Sequence, residues 1–408
     1  MKRKKQAIVL GAGFIGSTIA LCAKSAGYEV QIITEQQIKP ADSNSDPRFA
    51  SAYPAASILP HFSASEDNFR LMQDGQAVFA EIQKHADTGV RSQRHFDLWE
   101  EPFTQDLPYL KHCQDYQDIG GFTDIALPKR AGAQGLYGYG LTIFFADMPT
   151  YGKWIKKQIE EQDIKIIHQK LTSGSVADLK ADIIFNCLGI GAPHVFPELG
   201  PGFVMRGILL RFPCDDIYAE RNTKRPVSYN YIPEKNVYPS PDSNPWDLYF
   251  FPRQTSIIIG GTRQIMIMDP DTGEVSGPSY PGETFSYHGI DIPKPILDLN
   301  RELILQMTGR ALPETFEPLV GYRHLYGTPD KPELLIKARD TGYAPMIDCL
   351  GFGGSGVTLS WGTAKRALEI AMPITGQLDS AGDLGKNLFG FLKGTPANSA
   401  EALAPQTA

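Results

Sequence analysis

Two hydrophobic patterns open the chain, the first with the length of a buried strand and the second with the period of a helix. Residues 7–10 form a short apolar run of the kind found in buried parallel strands. A helical pattern with one apolar face follows over residues 15–23, and Gly27 ends it. Residues 30–35 then return as a second strand that closes with an acid, Glu35. The order predicts a β-α-β unit.

Further patterns divide the rest of the chain into strands, helices and loops. Strand patterns cover residues 164–167, 183–185, 208–212, 248–251, 256–259 and 334–336. Helical patterns cover residues 68–85, 151–161, 295–308 and 358–371. Segments rich in Pro, Asp, Asn and Ser at 38–47, 213–246 and 264–294 are predicted to be loops or lids. β-α units that alternate with antiparallel-type strands indicate a dinucleotide domain interleaved with a sheet domain.

The turn after the first strand has the spacing Gly-x-Gly-x-x-Gly. Gly11 permits a tight turn, Gly13 lets the backbone approach a pyrophosphate, and Gly16 lets the helix pack on the strand. The pyrophosphate would lie at the helix N-terminus, where unpaired amides and the helix dipole favour an anion. Glu35 lies at the distance expected for an acid that accepts from a ribose hydroxyl. The alternative is a chance glycine turn, but the flanking elements favour an ADP-containing cofactor.

Two further glycine-containing turns narrow the choice of cofactor. Residues 186–189 follow the strand at 183–185 and are expected to close over the same cofactor. Residues 351–358, with the sequence GFGGSGVT, are expected to open a helix and to aim amides at a second electron-rich group, such as the carbonyl edge of an isoalloxazine ring. A nicotinamide enzyme needs no second cradle, so the sequence favours FAD over NAD.

Composition excludes several other classes of protein. The chain has 408 residues, which favours two domains, and a net charge of −7 without a basic stripe, which argues against nucleic acid as a partner. No stretch reaches the length of a membrane helix. The basic residues 2–5 precede an apolar run too short for a secretory signal. Scattered cysteines indicate a cytoplasmic protein with reduced thiols, and the histidines show no spacing of a metal site.

The chain resembles the D-amino acid oxidase family of FAD enzymes, which includes D-aspartate oxidase and, more distantly, glycine oxidase. Short matches follow one another in family order over most of the length. They are GAGFIG at 11–16, Thr34-Glu35, Ala55 to His61, Asp147 to Tyr151 with Trp154, residues 186–189, Arg206-Gly207, Tyr249 to Pro252, Gly260 to Gln264, Gly321 to Arg323, and 351–358. Several independent matches in order are more specific than any one of them.

The resemblance implies an α/β (α+β) fold in which a Rossmann-like FAD-binding domain is interleaved with a mixed-sheet substrate-binding domain. The expected FAD-binding domain comprises residues 1–60, 147–203 and 328–395, and the expected substrate-binding domain comprises residues 61–146 and 204–327. Residues 396–408 are small and polar and are expected to be a disordered tail. The expected FAD contacts are Gly11, Gly13, Phe14, Ile15, Gly16, Thr34, Glu35, Ala55, Ala56, Ser57, Gly189, Gly353, Gly354, Ser355, Gly356, Val357 and Thr358.

Three residues match the family's substrate-binding positions. Arg323 matches the Arg that binds the substrate carboxylate, which needs a planar two-pronged donor; a surface salt bridge is the alternative. Tyr249 matches the hydroxyl donor to the same carboxylate, and a cross-strand aromatic is the alternative. The resemblance also implies that Gly354 offers a backbone carbonyl to the substrate amine.

Arg263 lies in the stretch Gly-Gly-Thr-Arg-Gln, which in D-aspartate oxidase supplies the Arg that meets a side-chain carboxylate. A buried Arg without an acid nearby is costly, so an anionic substrate side chain, as in D-aspartate or D-glutamate, is one interpretation. The alternative is an Arg bonded to protein carbonyls or to an acid such as Asp247.

The expected reaction is oxidative deamination of a D-amino acid, with oxygen as acceptor, to the 2-oxo acid, ammonia and hydrogen peroxide. Two alternatives stay open: an amine- or amino-acid-oxidising flavoenzyme of a biosynthetic pathway, such as a glycine/sarcosine oxidase-like enzyme or a dehydrogenase, and a flavin-binding protein without catalysis. Phe352 replaces the family's His, and His324 replaces its proline, which leaves the substrate open. The expected partners are a small-molecule substrate and oxygen, and the sequence also allows a homodimer.

Overall fold

The computed structural model describes residues 3–39, 45–53, 56–59, 66–85, 87–102, 107, 110, 113–241, 245–269 and 272–377. Two of the sequence predictions, the FAD contact at Ala55 and the tail at 396–408, lie outside these residues. The described strands are β1 (Gln6–Ala12), β2 (Glu29–Gln37), β3 (Val90–Trp99), β4 (Gln114–Asp118), β5 (Tyr137–Ala146), β6 (Lys165–His168), β7 (Ile183–Asn186), β8 (Phe203–Pro213), β9 (Val227–Ile232), β10 (Leu248–Pro252), β11 (Ser256–Gly260), β12 (Gln264–Met268), β13 (Val275–Ser276), β14 (Thr284–Tyr287), β15 (Ile290–Pro293), β16 (Glu317–Thr328), β17 (Lys331–Glu333), β18 (Leu335–Asp340) and β19 (Pro345–Leu350). The helices are α1 (Phe14–Ser25), α2 (Glu66–Ile82), α3 (Met148–Glu161), α4 (Ser173–Ala177), α5 (Ala192–Val195), α6 (Lys294–Thr308) and α7 (Ser360–Thr375).

One sheet has the architecture expected of a Rossmann-like domain. Its six strands lie in the order β18-β19-β7-β1-β2-β6, and the pairs β1–β2, β1–β7, β2–β6 and β7–β19 are parallel. β18 forms an antiparallel edge. The strands are short and apolar because both faces of the sheet are covered, with α1, α3 and α7 packed on one side. The predicted β-α-β unit is therefore present as β1, α1 and β2.

A second sheet has eleven strands, and β14 pairs with β15 in a separate two-stranded sheet. The main path of the eleven-stranded sheet is β13-β12-β8-β11-β10-β9-β3-β5-β4, and β16 pairs with β8 and β17. Along β10 the side chains alternate between the two faces, as the period of a strand requires. Leu248 and Phe250 belong to the apolar cluster under α6, whereas Tyr249 and Phe251 belong to a cluster on the opposite face. The fold class predicted from the sequence, a mixed α/β fold with parallel and antiparallel sheets, is confirmed.

Two segments predicted to be loops or lids contain strands. β9 lies within 213–246, and β12 to β15 lie within 264–294. β9 is nearly buried on both faces, so its polar positions do not mark a solvent-exposed side, and the Pro- and Asn-rich turns around it dominate the local composition. The average composition of a long segment therefore concealed a central strand.

The sequence-based division into domains stays a prediction, although the structure shows how its ranges are distributed. All strands of the six-stranded sheet come from the ranges assigned to the FAD-binding domain. α2 comes from the range 61–146 assigned to the other domain, yet its buried side chains join the core that α1 and α7 form. Among the described residues, no helix is both long and apolar enough to span a bilayer.

Candidate active site

A deep cavity lies where the two sheets meet. Its empty volume is about 1300 Å³, including the open mouth. One end is formed by the start of α1 and the glycine-rich segment 353–358, and the other end by side chains of the eleven-stranded sheet. The lining residues that the sequence predicted are Phe14, Ile15, Ala56, Ser57, Tyr249, Arg263, Arg323, Gly353, Gly354, Ser355, Gly356, Val357 and Thr358.

The turn into α1 leaves no room for side chains. Gly11 has a φ of +98°, and a Cβ on it would lie 2.6 Å from the carbonyl oxygen of Cys187. A Cβ on Gly16 would lie 2.0 Å from the carbonyl oxygen of Gly11, so α1 can approach β1 only through a glycine. The Phe14 amide donates to Ser51 Oγ at 3.2 Å, and Gly13 provides no side-chain cap. The helix N-terminus thus presents backbone donors to a bound anion.

The glycine-rich segment near the C-terminus presents a second set of backbone donors. The Ser355 amide donates to the Phe352 carbonyl at 2.8 Å, whereas the amides of residues 356–358 have no acceptor among the described residues. The Thr358 hydroxyl donates to the Ser57 carbonyl at 3.3 Å and joins this segment to the bridge between Ser57 and Phe145. α7 begins only at Ser360, two residues later than the sequence predicted. A cavity wall with free amides fits the electron-rich edge of a flavin.

The other predicted cofactor contacts lie outside the cavity lining. Thr34 is buried, and its hydroxyl oxygen accepts from the Ala12 amide at 3.2 Å. Glu35 is exposed near the end of β2. Gly189 has a left-handed φ of +57° in the turn after β7. These residues surround the ends of β1, β2 and β7, the edge at which parallel sheets bind nucleotides.

At the substrate end, two large side chains lie flat on the sheet over glycines. A Cβ on Gly260 would lie 2.3 Å from the Tyr249 hydroxyl oxygen, and Gly260 is the cross-strand partner of Tyr249. A Cβ on Gly207 would lie 2.7 Å from Arg323 Nη2. The glycines therefore create the space in which the phenol and the guanidinium lie beside each other.

Arg323 and Tyr249 form one polar unit. The two side chains lie close enough to shift each other's pKa, and Arg323 Nη1 donates to the Thr262 carbonyl at 3.1 Å. No carboxylate of the described residues lies within 4.0 Å of Arg323. Burial lowers the pKa of Arg323 below its ordinary value, and burial raises the pKa of Tyr249 to about 12. The cavity therefore holds a cation without a counterion beside a hydroxyl that stays protonated.

Arg263 forms an ion pair with Asp247, which agrees with the second of the two interpretations of the sequence. Its Nε donates to Asp247 Oδ1 at 2.7 Å and its Nη2 donates to Asp247 Oδ2 at 2.9 Å. Asp247 raises the pKa of Arg263 further above its ordinary value. The expectation of a buried Arg without an acid nearby is wrong. The pairing of β10 with β11 brings Asp247, which precedes β10, against Arg263, which follows β11. Arg263 lines the cavity as half of a neutral pair.

Sequence reasoning missed Asn230 and Tyr53, which line the cavity. Asn230 is the cross-strand partner of Tyr249. The alternation of Tyr229 and Tyr231 with polar neighbours could have revealed β9 and thus Asn230. Gly207 had been noted only as part of a family match. Among the described residues, no group of three or more His, Cys, Asp or Glu side chains is placed to hold a metal ion.

Comparison with known proteins agrees with the two-sheet architecture. The family of FAD dependent oxidoreductases called DAO matches residues 6–370. A D-amino-acid oxidase from Rubrobacter xylanophilus is 24% identical over 387 residues, which are 90% of this chain and 95% of that protein. A human D-aspartate oxidase is 20% identical over 378 residues, 89% of this chain and 93% of that protein. The structure of glycine oxidase from Geobacillus kaustophilus superposes with a TM-score of 0.58 at 13% identity, covering 91% of this chain and 95% of that one.

The match to the family extends over both sheets and includes both sets of backbone donors. FAD is therefore the cofactor, and the residues that would hold it are the start of α1 and the segment 353–358. The glycine-rich turn into α1 leaves space for FAD, and the unpaired amides of residues 356–358 match its polarity. The chain belongs to the DAO family of FAD dependent oxidoreductases.

Proposed function

We propose that the protein oxidises the α-amine of a D-amino acid to the 2-oxo acid and ammonia, with oxygen as the electron acceptor and hydrogen peroxide as the second product. The observation that carries the proposal is the unneutralised Arg323 beside the Tyr249 hydroxyl. A guanidinium with a neighbouring hydroxyl is suited to a carboxylate, which accepts from both. The relatives named D-amino-acid oxidase and D-aspartate oxidase support the choice of D-amino acids.

The residues of the cavity would hold the substrate by its carboxylate and orient its α-carbon. Arg323 supplies a charge-assisted pair of donors, and Tyr249 supplies one more. Gly354 lines the same cavity, and its carbonyl would accept from the substrate amine. These contacts would fix the Cα–H bond in one direction. FAD, when bound, supplies the acceptor for the hydride that leaves Cα.

No side chain has to remove a proton from Cα in this scheme. The substrate amine loses its proton before the hydride departs, and the imine that forms is hydrolysed by water. Because an ammonium group cannot release the hydride productively, the rate of flavin reduction should rise with pH as the amine is deprotonated. A rate that is constant from acid to alkaline pH would contradict the scheme.

The decisive experiment is anaerobic mixing of the purified holoenzyme with D- and L-amino acids, glycine and sarcosine. The absorbance of oxidised flavin at about 450 nm is followed. We expect rapid bleaching with D-amino acids and slow or no bleaching with their enantiomers. Preference for L-amino acids or for sarcosine would replace the proposed substrate class, and the absence of bleaching by any amine would favour a flavin-binding protein without catalysis.

The electron acceptor is tested separately. The reduced holoenzyme is mixed with oxygen, and hydrogen peroxide is measured against the flavin reoxidised. One peroxide per flavin supports an oxidase. Fast reoxidation by a dye with little peroxide would instead support a dehydrogenase.

A further inference from the structure

Beyond the carboxylate-binding pair, the cavity contains a second cluster of polar groups. Asn230, Asp247 and Arg263 all line it. Tyr249 leans towards Gly260, whereas Asn230 faces Tyr249 from β9 on the other side. A substrate held at its carboxylate by Arg323 and Tyr249 would therefore extend its side chain towards this cluster.

Asn230 is a buried side chain without a hydrogen-bond partner for its oxygen. The residue is 5% exposed, and its Oδ1 makes no hydrogen bond within the described part of the chain. Burying such an atom costs free energy unless a ligand forms a hydrogen bond with it. An amide offers a donor and an acceptor, and a half-turn about its last bond exchanges them. Asn230 therefore suits a ligand group that can both donate and accept.

The neighbouring ion pair of Arg263 and Asp247 has no net charge but can form further hydrogen bonds. Both of its hydrogen bonds use Nε and Nη2 of Arg263, and Nη1 has no acceptor among the described residues. The Arg263 side chain is 39% exposed, so Nη1 is accessible from the cavity. Asp247 oxygens can each accept a further hydrogen bond. The pair thus offers both donors and acceptors without a net charge.

The charges of the cavity discriminate between classes of side chain. Arg323 is balanced by the substrate carboxylate, and Arg263 is balanced by Asp247. A second carboxylate on the substrate would lie near Asp247 with no cation left to neutralise it. An apolar side chain would leave Asn230 and Arg263 Nη1 unpaired.

From these contacts we infer that the substrate side chain ends in a carboxamide, as in asparagine and glutamine. Its oxygen accepts from Arg263 Nη1, and its amino group donates to Asp247 or to Asn230. This inference rests on the proposed function, because it assumes that Arg323 and Tyr249 hold the α-carboxylate. It assigns to Asn230 the recognition of the side chain and not of the reacting amine.

Binding of unreactive carboxylates tests the inference without turnover. The ligands are glutaramate, glutarate and 5-methylhexanoate, which share one chain length and end in a carboxamide, a carboxylate and an isopropyl group. Titration calorimetry on the holoenzyme should give the tightest binding for glutaramate, by about tenfold or more over each of the others. Equal affinities, or tightest binding of glutarate or 5-methylhexanoate, would overturn the inference.

Two substitutions at one position then separate recognition from general damage. Asn230→Leu keeps the number and branching of the non-hydrogen atoms while it removes both hydrogen-bonding groups, and it should abolish the preference for glutaramate over 5-methylhexanoate. Asn230→Asp adds a negative charge and should weaken glutarate further while it favours 5-aminopentanoate, which ends in an ammonium group. If both variants retain the original ranking, Asn230 does not contact the side chain, and the inference fails.

Kinetics distinguish this failure from failure of the proposed function. D-glutamine, D-glutamate and D-methionine are compared by the rate of anaerobic flavin reduction. We expect the second-order rate constant of flavin reduction by D-glutamine to exceed those of the other two by about tenfold or more. If all three bleach the flavin and D-glutamine is not preferred, the side-chain inference is wrong and the proposed function stands. If none of a full panel of amines bleaches it, the proposed function itself is wrong.

Discussion

Arg323 and Arg263 both line the same cavity, but among the described residues only Arg263 has a carboxylate within ion-pair distance. Arg263 forms two hydrogen bonds with Asp247, whereas Arg323 donates to the Thr262 carbonyl and lies beside the Tyr249 phenol. The same type of side chain therefore has two different roles within one cavity. An anion-binding Arg is therefore identified by a charge that its surroundings leave uncompensated and not by its presence in a pocket.

Local backbone geometry creates the difference. A Cβ on Gly261 would lie 2.3 Å from the Asp247 carbonyl oxygen, so the backbones approach closely where Asp247 and Arg263 meet. Arg323 comes from β16 and lies over Gly207 of β8, on the far side of β11 from Asp247. One guanidinium is thus placed against an acid, and the other is placed against a glycine.

The largest expected effect comes from removing the unpaired cation. Arg323→Leu should lower kcat/KM by about 10³-fold, because a buried charge pair with the substrate carboxylate is lost. Steady-state kinetics with the best substrate measure the change. Arg323→Lys serves as the matched control; it keeps the charge but not the two-pronged geometry, and should recover only part of the loss. A loss of less than tenfold in Arg323→Leu would show that the carboxylate binds elsewhere.

The second-largest effect is expected when Arg263 loses its counterion and becomes an unpaired cation like Arg323. Asp247→Asn removes the counterion of Arg263 and should strengthen binding of glutarate by about 10²-fold, since the freed guanidinium can now pair with the ligand's second carboxylate. Titration calorimetry on the folded variant measures it, and glutarate should also raise the melting temperature.

Asp298→Asn provides the control for this variant. It makes the same change of charge at an exposed position of α6 and should leave glutarate binding unaltered. If Asp247→Asn binds glutarate no better than the wild type, Arg263 is not held back by its acid partner, and the contrast between the two arginines disappears.

Local patterns predicted one half of this cavity well. The turn after β1 and the segment 353–358 are each a single continuous stretch of sequence, and the glycine spacing within each has a local physical meaning. Tyr249 and Arg323 also line the cavity as the family resemblance implied. These predictions required no knowledge of how distant strands pair.

The other half depends on pairing that no local pattern specifies. Asp247 and Arg263 are sixteen residues apart and meet through the approach of two backbones. Asn230 lies in a segment whose turn-rich composition predicted a loop, and it reaches Tyr249 only because β9 pairs with β10. The sequence could name Asp247 as one alternative partner, but the choice needed the strand register.

A third effect concerns the hydroxyl beside Arg323. Tyr249→Phe should weaken binding of glutaramate by about tenfold, because one hydrogen bond to a charged ligand is lost. Burial raises the pKa of Tyr249 to about 12, so the hydroxyl stays neutral and donates throughout the neutral and mildly alkaline range. The wild-type affinity should therefore be nearly constant between about pH 7 and pH 10. A loss of affinity in that range that is absent from Tyr249→Phe would show that the phenol ionises much earlier.

The smallest effect moves Arg323 without changing its charge. In Gly207→Ala the new methyl group would lie 2.7 Å from Arg323 Nη2, so the guanidinium must shift away from the sheet. Because the far end of a long side chain can move, we expect only about a threefold rise in KM with little change in kcat. Gly174→Ala, where nothing lies within 4 Å, is the control and should behave as wild type. If Gly207→Ala is also silent, the position of the guanidinium tolerates displacement, and its missing counterion alone explains why Arg323 and not Arg263 binds the substrate.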